Sequence, residues 1–582
     1  MGFFKSFFAS CLGTLVALIA LFILMIAFLS ALTSENQIVV SDNSVLHLKL
    51  DAPITEQEFD DPISEIYPQI GNQSIGLIQL KQVLKNAKTD PKISGIYLNA
   101  SELTTGFSSV EEVRNAILDF RLSGKWVISY STSYSEGAYY LASAADKVYL
   151  FPEGQLEFNG LATEVMFFKK LFDKLEIKPQ VFRVGDFKSA VEPFVREDLS
   201  KENKLQLNSL LNSIYDEMLS KVSDSRKIPK DRLKQISDQM LVRNAKLAFQ
   251  NGLVDSLFYE DQVKSEMKDR LGISEDDEIN LVSYARYRKT FSNVSTSANE
   301  IAVIVAEGTI TSGEADQGIV GSETIVKEIR KARTNDRVKA IVLRINSPGG
   351  EFQASDEMWR EVVLATQAKP VIASMSDYAA SGGYYLAMAC DTIVAQPNTI
   401  TGSIGIFSIL FDLSSFLDNK IGLTSEEVKT GEFGQMFTVT RPLTEAEKSI
   451  WQNQTEEVYE TFTGKAALGR NMSQDDIKRI ASGRVWTGSQ AKNNGLVDVL
   501  GGFETAVTIA AQQGGVTDDY KLRYYPAQKN FLERLTGEWE ENMKTKNLRT
   551  ELGDYYAWYV QWLGVKNYQG TQARMPFDFI LK

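Results

Sequence analysis

The sequence is poor in the residues that build disulfides, metal centres and histidine-based active sites. Its 582 residues include two cysteines and one histidine. Cys11 lies in an apolar run and Cys390 in the second half of the chain, so the fold is not expected to depend on a disulfide. His47 stands in an alternating, strand-like segment without partners for a metal, so we expect a surface-facing strand residue and no metal site. A Ser-His-Asp triad is nearly excluded by this inventory.

The chain also lacks an excess of basic residues. Its 62 lysines and arginines stand against 75 aspartates and glutamates, a net charge of −13. Nucleic-acid binding depends on a basic surface that displaces counterions, so a nucleic-acid partner is not expected. No motif for an organic cofactor is present, and none is predicted.

Charge is absent from residues 6–34, and the stretch from Leu12 to Leu32 is dominated by aliphatic residues and phenylalanine. This length is enough for one transmembrane helix. A cleavable signal peptide is the alternative, but leucines stand near the end of the run where a cleavage site needs small residues. We therefore predict an uncleaved anchor over residues 1–35. The positive charge of Lys5 before the run predicts that most of the chain lies on the extracytoplasmic side.

The sequence contains two similar copies of one segment. Residues 124–161 align without gaps on residues 369–406, so that Tyr139-Tyr140-Leu141-Ala142 falls on Tyr384-Tyr385-Leu386-Ala387. The copies differ where chemistry could lie, because Phe158 aligns with Ser403 and, after a one-residue gap, Lys188 aligns with Gly434. Each copy keeps a residue that the other has lost. This pattern predicts one active site shared between two repeats.

Both repeats alternate strand and helix patterns. The predicted strands are Val45–Leu50, Gly95–Leu98 and Val127–Tyr130 in the first repeat, and Ile301–Ala306, Ala340–Ile345 and Val371–Ser374 in the second. Helical patterns separate them, which is typical of α/β units with a mainly parallel sheet. The predicted domains are the anchor, a first repeat over 36–290, a second repeat over 291–525, and a peripheral extension over 526–582.

Three elements could carry nucleophilic catalysis. A serine nucleophile without histidine needs another base, and lysine is the usual substitute once burial has lowered its pKa. Lys188 has apolar neighbours in sequence, and Ser403 lies in a glycine-flanked segment that suits a hydroxyl facing a substrate. Gly349 and Gly350 follow a predicted strand and can present backbone N–H groups to an oxyanion.

Four ordered motifs resemble the long form of the signal peptide peptidase A (SppA) family. They are Asn346–Gly350, Tyr378–Tyr384, Thr401–Gly405 and Phe187–Phe194, and the resemblance covers nearly the whole chain. It implies two tandem crotonase-like, Clp-protease-like repeats, with Ser403 as nucleophile and Lys188 as general base. It also implies a homotetramer in the bacterial inner membrane that cleaves signal peptides.

Alternatives remain for the nucleophile and for the function. Ser381, in Ala379-Ala-Ser-Gly-Gly383, resembles the nucleophile segment of Clp-type proteases, although the family pattern favours Ser403. An acyl-CoA enzyme of the same fold is a second possible function, and a non-catalytic membrane scaffold is a third. The Ser-Lys pair argues against both.

Overall fold

The computed structural model describes residues 40–58, 74–291, 296–315, 318–526 and 570–575, with helical residues 2, 7, 12–21, 23 and 24. Within these residues, no helix has both the length and the apolar character needed to cross a membrane. Much of the predicted anchor lies outside the described residues.

The first half is built on a six-stranded sheet in the order β8-β6-β5-β4-β1-β9, with all neighbours parallel. β2 and β3 form a separate two-stranded pair, and β7 leaves this half to join another sheet. The strands are β1 Ser44–Lys49, β2 Ile54–Thr55, β3 Ile75–Gly76, β4 Ile93–Asn99, β5 Trp126–Tyr134, β6 Lys147–Leu156, β7 Lys178–Val184, β8 Ser256–Leu257 and β9 Leu281–Ser283.

Helices cover the first sheet and fill the segment between the repeats. Pro229, which caps a helix amino terminus, separates the first two long inserted helices. The helices of this half are Leu77–Thr89, Phe107–Arg121, Glu136–Ala142, Lys169–Leu175, Glu192–Val195, Lys201–Arg226, Lys230–Asp238, Ala245–Gln250, Glu260–Leu271 and Tyr284–Arg288.

The second half repeats the parallel arrangement. Its main sheet runs β19-β17-β15-β13-β10-β21, with β16 beside β15 and β20 beside β16. The strands are β10 Glu300–Glu307, β11 Thr309–Thr311, β12 Ile319–Gly321, β13 Val338–Ser347, β14 Gly349–Glu351, β15 Val371–Ala380, β16 Thr392–Ala395, β17 Ile400–Gly402, β18 Ile406–Asp412, β19 Val485–Thr487, β20 Val499–Leu500, β21 Lys521–Tyr525 and β22 Gly570–Arg574. The helices are Ser322–Thr334, Phe352–Thr366, Gly382–Ala387, Ser414–Phe416, Glu445–Arg470, Gln474–Ile480, Gly488–Asn493 and Phe503–Gln513.

The local sequence explains the central elements. β13 and β15 are buried along most of their length, and their near-continuous apolar runs are typical of parallel strands covered on both faces. The helix Ser322–Thr334 buries Ile325, Ile329 and Ala332, one stripe of an amphipathic helix. The predicted α/β class is confirmed.

A third sheet connects the two halves. Its order is β12-β11-β14-β22-β18-β7, so it combines β7 from the first half with strands from the second. β22 comes from the predicted carboxyl-terminal extension and lies inside this sheet, paired with β14 and β18. The expectation of a peripheral extension was therefore wrong for residues 570–575, because their pairing partners are more than 150 residues away and leave no local pattern.

Arg344, in the middle of β13, is a charged residue without solvent exposure. Its guanidinium donates to Glu56 Oε2 at 2.7 Å and to Glu112 Oε1 at 2.9 Å, both from the first half. Burial alone would raise the pKa of Glu112, but Arg344 and Lys81 more than offset this and lower it to about 2. A buried ion network therefore joins the halves beneath the strand that leads to Gly349.

Replacing Arg344 with methionine should strongly destabilise the protein. The change leaves Glu56 buried without its cation and Glu112 with Lys81 alone, and breaking a buried pair costs about 3–5 kcal/mol of unfolding free energy. Chemical denaturation at neutral pH measures this loss. Since Glu112 has a lowered pKa in the folded state, its contribution is complete above about pH 4.5 and is lost as pH falls toward 2.

The matched control is Arg196→Met, which removes a solvent-exposed pair with Asp198. This change should cost less than about 1 kcal/mol. Equal, small losses for the two variants would contradict a stabilising role for the buried network.

Candidate active site

The site is assembled by an antiparallel ladder between the two halves. Seven residues of β7 pair with seven of β18, from Lys178 opposite Asp412 to Val184 opposite Ile406. Lys188 follows Val184 by four residues, and Ser403 precedes Ile406 by three. The register of this ladder therefore brings the lysine of the first repeat to the serine of the second.

The ammonium nitrogen of Lys188 lies between two serines. Lys188 Nζ is 3.1 Å from Ser403 Oγ and 2.9 Å from Ser381 Oγ. It also lies 3.2 Å from the carbonyl oxygen of Ser403. All three residues are fully buried. The structure thus unites the predicted Lys188 and Ser403, and it adds Ser381 to the same cluster.

Close backbone packing holds the lysine in place. The amide of Phe187 donates to Ser482 O at 3.0 Å, and the amide of Ser403 donates to Arg484 O at 2.7 Å. A Cβ built on Gly483 would stand 2.6 Å from the Lys188 backbone nitrogen. Gly483 also has a φ of 79°, so both space and conformation require glycine here.

The environment of Lys188 is unusual in having no charged partner. Burial lowers the pKa of Lys188 well below its usual range. Among the described residues, the contacts of its Nζ are serine oxygens, and the nearby Glu192 instead accepts from Ser200 and Asn203. A neutral amine in this position can accept a proton from a serine hydroxyl.

Ser381 has the more strained backbone of the two serines. It joins β15 to the helix Gly382–Ala387 with φ 55° and ψ −111°, a combination rarely adopted by a residue with a side chain. Ser403 has a φ of 50° in the left-handed region. Such strain is concentrated at functional sites, where the surrounding structure has to maintain it.

Two glycines, Gly349 and Gly382, lie close to the backbone carbonyl oxygen of Ala573. A Cβ built on Gly349 would stand 2.1 Å from the carbonyl oxygen of Ala573 in β22, and one built on Gly382 would stand 3.1 Å from the same oxygen. Gly349 has a φ of 98°. Gly350 instead approaches β11, because its Cβ would stand 2.0 Å from the carbonyl oxygen of Ile310. Of the two predicted oxyanion glycines, Gly349 is the one that borders this carbonyl together with Gly382.

In the first repeat, larger side chains stand at the positions that align with Ser381 and Ser403. Glu136 aligns with Ser381, and its carboxylate accepts from the amide of Gly160 at 3.1 Å. Burial raises the pKa of Glu136 to about 7. Phe158, which aligns with Ser403, is buried edge-on against Tyr139 with ring centroids 5.8 Å apart. The first repeat therefore has a buried carboxylate and a packed aromatic ring where the second repeat has two serine hydroxyls.

Two other predictions concern metals and the histidine. The described residues contain no group of acidic, cysteine or histidine side chains suited to hold a metal ion. His47 is half-buried, stacked on Tyr97 and 2.7 Å from Asn99 Oδ1, so it is less exposed than the alternating pattern indicated. Cys390 is a free, buried thiol.

Comparison with known proteins identifies the family of this chain. The model of peptidase family S49 matches residues 119–274 and 364–517, one match in each half. Protease 4 from Haemophilus influenzae is 35% identical over 516 residues, which cover 85% of this chain and 83% of that protein. This chain belongs to peptidase family S49.

Further relatives are similar over most of the chain. Protease 4 from Salmonella typhi is 37% identical over 80% of this chain and 76% of its own length. The chloroplastic serine protease SPPA of Arabidopsis thaliana is 37% identical over 78% of this chain and 68% of its own length. A solved ClpP1 mutant from Listeria monocytogenes matches 35% of this chain and 94% of its own, at 15% identity and a TM-score of 0.24. The sequence relatives support a serine peptidase in the S49 family, and the predicted SppA resemblance is confirmed.

The pH dependence of activity should report the state of Lys188. Only the neutral amine accepts a proton, so kcat/KM should rise with pH through an ionisation well below 10.5, because burial lowers the lysine pKa. Lys188→Met should reduce kcat about 10²-fold to 10⁴-fold. The measurement is kcat/KM for a fluorogenic peptide across a pH series.

Circular dichroism and thermal unfolding provide the control for this variant. Methionine removes a buried amine without an ion pair, so Lys188→Met should be at least as heat-stable as the unaltered chain. Full activity in a folded Lys188→Met variant would exclude the lysine as base.

Proposed function

We propose that this chain is a membrane-anchored serine endopeptidase that cleaves hydrophobic peptides, including remnant signal peptides, with a Ser-Lys dyad. The observation that carries the dyad is the buried Lys188 Nζ within 2.9 Å and 3.1 Å of two serine hydroxyls. The charge-free residues 6–34 support an anchor, and the bacterial Protease 4 relatives support a bacterial membrane location. The signal-peptide substrates and the homotetramer rest on the SppA resemblance.

Within this dyad, Ser403 is the proposed nucleophile and Lys188 the general base, as the SppA resemblance implies. Lys188 Nζ lies 3.1 Å from Ser403 Oγ, within reach of the proton that a base has to take. The hydroxyl of Ser381, 2.9 Å from the same nitrogen, orients the amine, and Ser381 is the alternative nucleophile.

The reaction then proceeds through an acyl-enzyme. Neutral Lys188 takes the proton of Ser403 as Oγ forms a bond to the peptide carbonyl carbon. Backbone groups of Gly349 and Gly382 stabilise the oxyanion, and the ammonium of Lys188 returns the proton to the leaving amine. Water hydrolyses the ester, with Lys188 again accepting a proton and Ser403 regaining one.

Neither alternative function is favoured by a specific contact. An acyl-CoA enzyme does not need a buried lysine between two serines, and a scaffold does not need the strained backbone at Ser381. Membership in a peptidase family also points to proteolysis.

Two serine variants separate the roles. Ser403→Ala should abolish labelling by a fluorophosphonate probe and reduce kcat by about 10⁴-fold or more, since the nucleophile itself is removed. Ser381→Ala should keep the labelling but reduce kcat about 10-fold to 100-fold, because one lysine hydrogen bond is lost.

Labelling that persists in Ser403→Ala and disappears in Ser381→Ala would instead make Ser381 the nucleophile. Unchanged cleavage of a hydrophobic peptide by both folded variants would support the scaffold and overturn the proposed function.

A further inference from the structure

Lys188 is the central residue of a tight backbone turn. Its φ is −75° and its ψ is 74°, and the amide of Ser189 donates to Phe187 O at 2.8 Å. These angles and this hydrogen bond are those of an inverse γ-turn. Because the lysine side chain is long, a small change in the angles of the turn moves its amine away from Ser403. The contacts that hold the turn therefore also hold the amine.

The side-chain amide of Gln206 contacts both residues that flank Lys188. Gln206 Nε2 donates to Phe187 O at 3.2 Å and to Ser189 Oγ at 2.8 Å. It also lies 3.0 Å from Asn203 Oδ1, so its two N–H groups are shared among three acceptors. The amide therefore holds the turn on both sides of the lysine.

The oxygen of the same amide reaches the second half of the chain. Gln206 Oε1 accepts from the amide of Val485 at 3.3 Å. Val485 pairs with Gly402 between β19 and β17, and Ser403 is the next residue after Gly402. One side-chain amide therefore connects the turn that carries the lysine with the strand pair that leads to the serine.

The helix Lys201–Arg226 brings Gln206 into this position. Its buried residues include Asn203, Gln206 and Leu210, which are three and four residues apart and so share one face of the helix. Gln206 itself is only 1% exposed. Burial of a side-chain amide is unfavourable unless its donors and its acceptor are paired, and the turn and Val485 supply these partners.

We propose that Gln206 is a positioning residue for Lys188, whose side-chain amide fixes the γ-turn that directs the amine at Ser403 and Ser381. This inference rests on the proposed function, because it needs Lys188 to act as the general base. Among the described residues, the amine contacts serine oxygens and no carboxylate. Without an ion pair to hold the amine, its position depends on the backbone that carries it.

Loss of the amide should affect both the position and the ionisation of the lysine. A displacement of about 1 Å in a catalytic group reduces the rate by about 100-fold. A lysine released from its turn also gains access to water, which should raise the pKa of Lys188 from its lowered value toward the usual 10.5. A glutamine that only stabilised the fold would change neither kcat per folded molecule nor this ionisation.

The test replaces Gln206 with methionine, which has a similar length and volume but no amide. Gln206→Met should lower kcat about 10-fold to 100-fold and change KM less than about twofold, because the base moves while the substrate contacts remain. The ionisation of Lys188 in the profile of kcat/KM against pH should move to higher pH. Cleavage of a fluorogenic peptide across a pH series measures all three quantities.

Gln490→Met is the matched control. Gln490 Nε2 donates to Ser209 Oγ at 3.1 Å, on the same helix as Gln206, and Gln490 Oε1 accepts from the amide of Thr487 at 3.1 Å. This glutamine therefore joins the same helix to the end of β19, but its hydrogen bonds among the described residues do not include the γ-turn. The control should lose a similar amount of thermal stability and keep kcat and the ionisation of Lys188 unchanged.

Two further measurements apply if Gln206→Met folds poorly. Ser189→Ala removes only the hydroxyl that accepts from Gln206, so kcat should fall about 2-fold to 10-fold, with the same direction of change in the ionisation. Adding Gln206→Met to Lys188→Met should lower the residual kcat no further, because a residue that acts through the lysine has no effect once the lysine is gone.

Unaltered kcat and ionisation in folded Gln206→Met or Ser189→Ala would overturn the inference. An additional loss of kcat in the double variant would overturn it as well. If activity falls only in proportion to the folded fraction seen by circular dichroism, and the ionisation stays in place, Gln206 is a structural residue and the inference again fails.

Failure of the inference is distinguishable from failure of the proposed function. If Lys188→Met and Ser403→Ala abolish cleavage while Gln206→Met keeps full kcat, the peptidase stands and only the role of Gln206 is refuted. Unchanged cleavage by a folded Lys188→Met variant would refute the general base, and with it both proposals.

Discussion

The pairing of β7 with β18 is the constraint on which the rest of the site depends. It joins a strand of the first repeat to a strand of the second over seven residue pairs. A shift of one residue would turn every side chain of the strand to the opposite face and carry Lys188 away from the serines. The buried ions support the same arrangement, because Arg344 of β13 binds Glu56 and Glu112 of the first half. Neither half contains the proposed catalytic groups alone.

Burial acts on two kinds of charged residue with opposite outcomes. Arg344 is buried with two carboxylates, which raise its pKa and keep it charged. Lys188 is buried among hydroxyl and carbonyl oxygens, and its pKa falls. The first residue joins the halves, and the second is the proposed general base where they meet. The same interface therefore contains a buried ion network and a buried lysine without an ionic partner among the described residues.

Much of this arrangement could be predicted from the sequence, because the signals are local or repeated. Alternating strand and helix patterns predict the parallel sheets, and the exchange of Phe158 for Ser403 and of Gly434 for Lys188 predicts a shared site. The contact of Ser381 with Lys188 was not accessible in this way, since the two residues come from different halves and no local pattern marks their approach. The Arg344 network and the position of β22 were missed for a related reason. Their partners are distant in sequence, and no periodic pattern marks them.

Mixing two inactive full-length variants tests most directly whether the dyad forms within one chain. Ser403→Ala keeps an intact Lys188, and Lys188→Met keeps an intact Ser403. The variants would be co-expressed with different affinity tags and purified together through both tags, and cleavage of a hydrophobic fluorogenic peptide would be measured. Because the β7–β18 ladder joins the two residues in cis, mixed oligomers should remain as inactive as either variant alone. Recovery of a substantial fraction of the unaltered activity would show that lysine and serine meet between chains, and it would contradict this account.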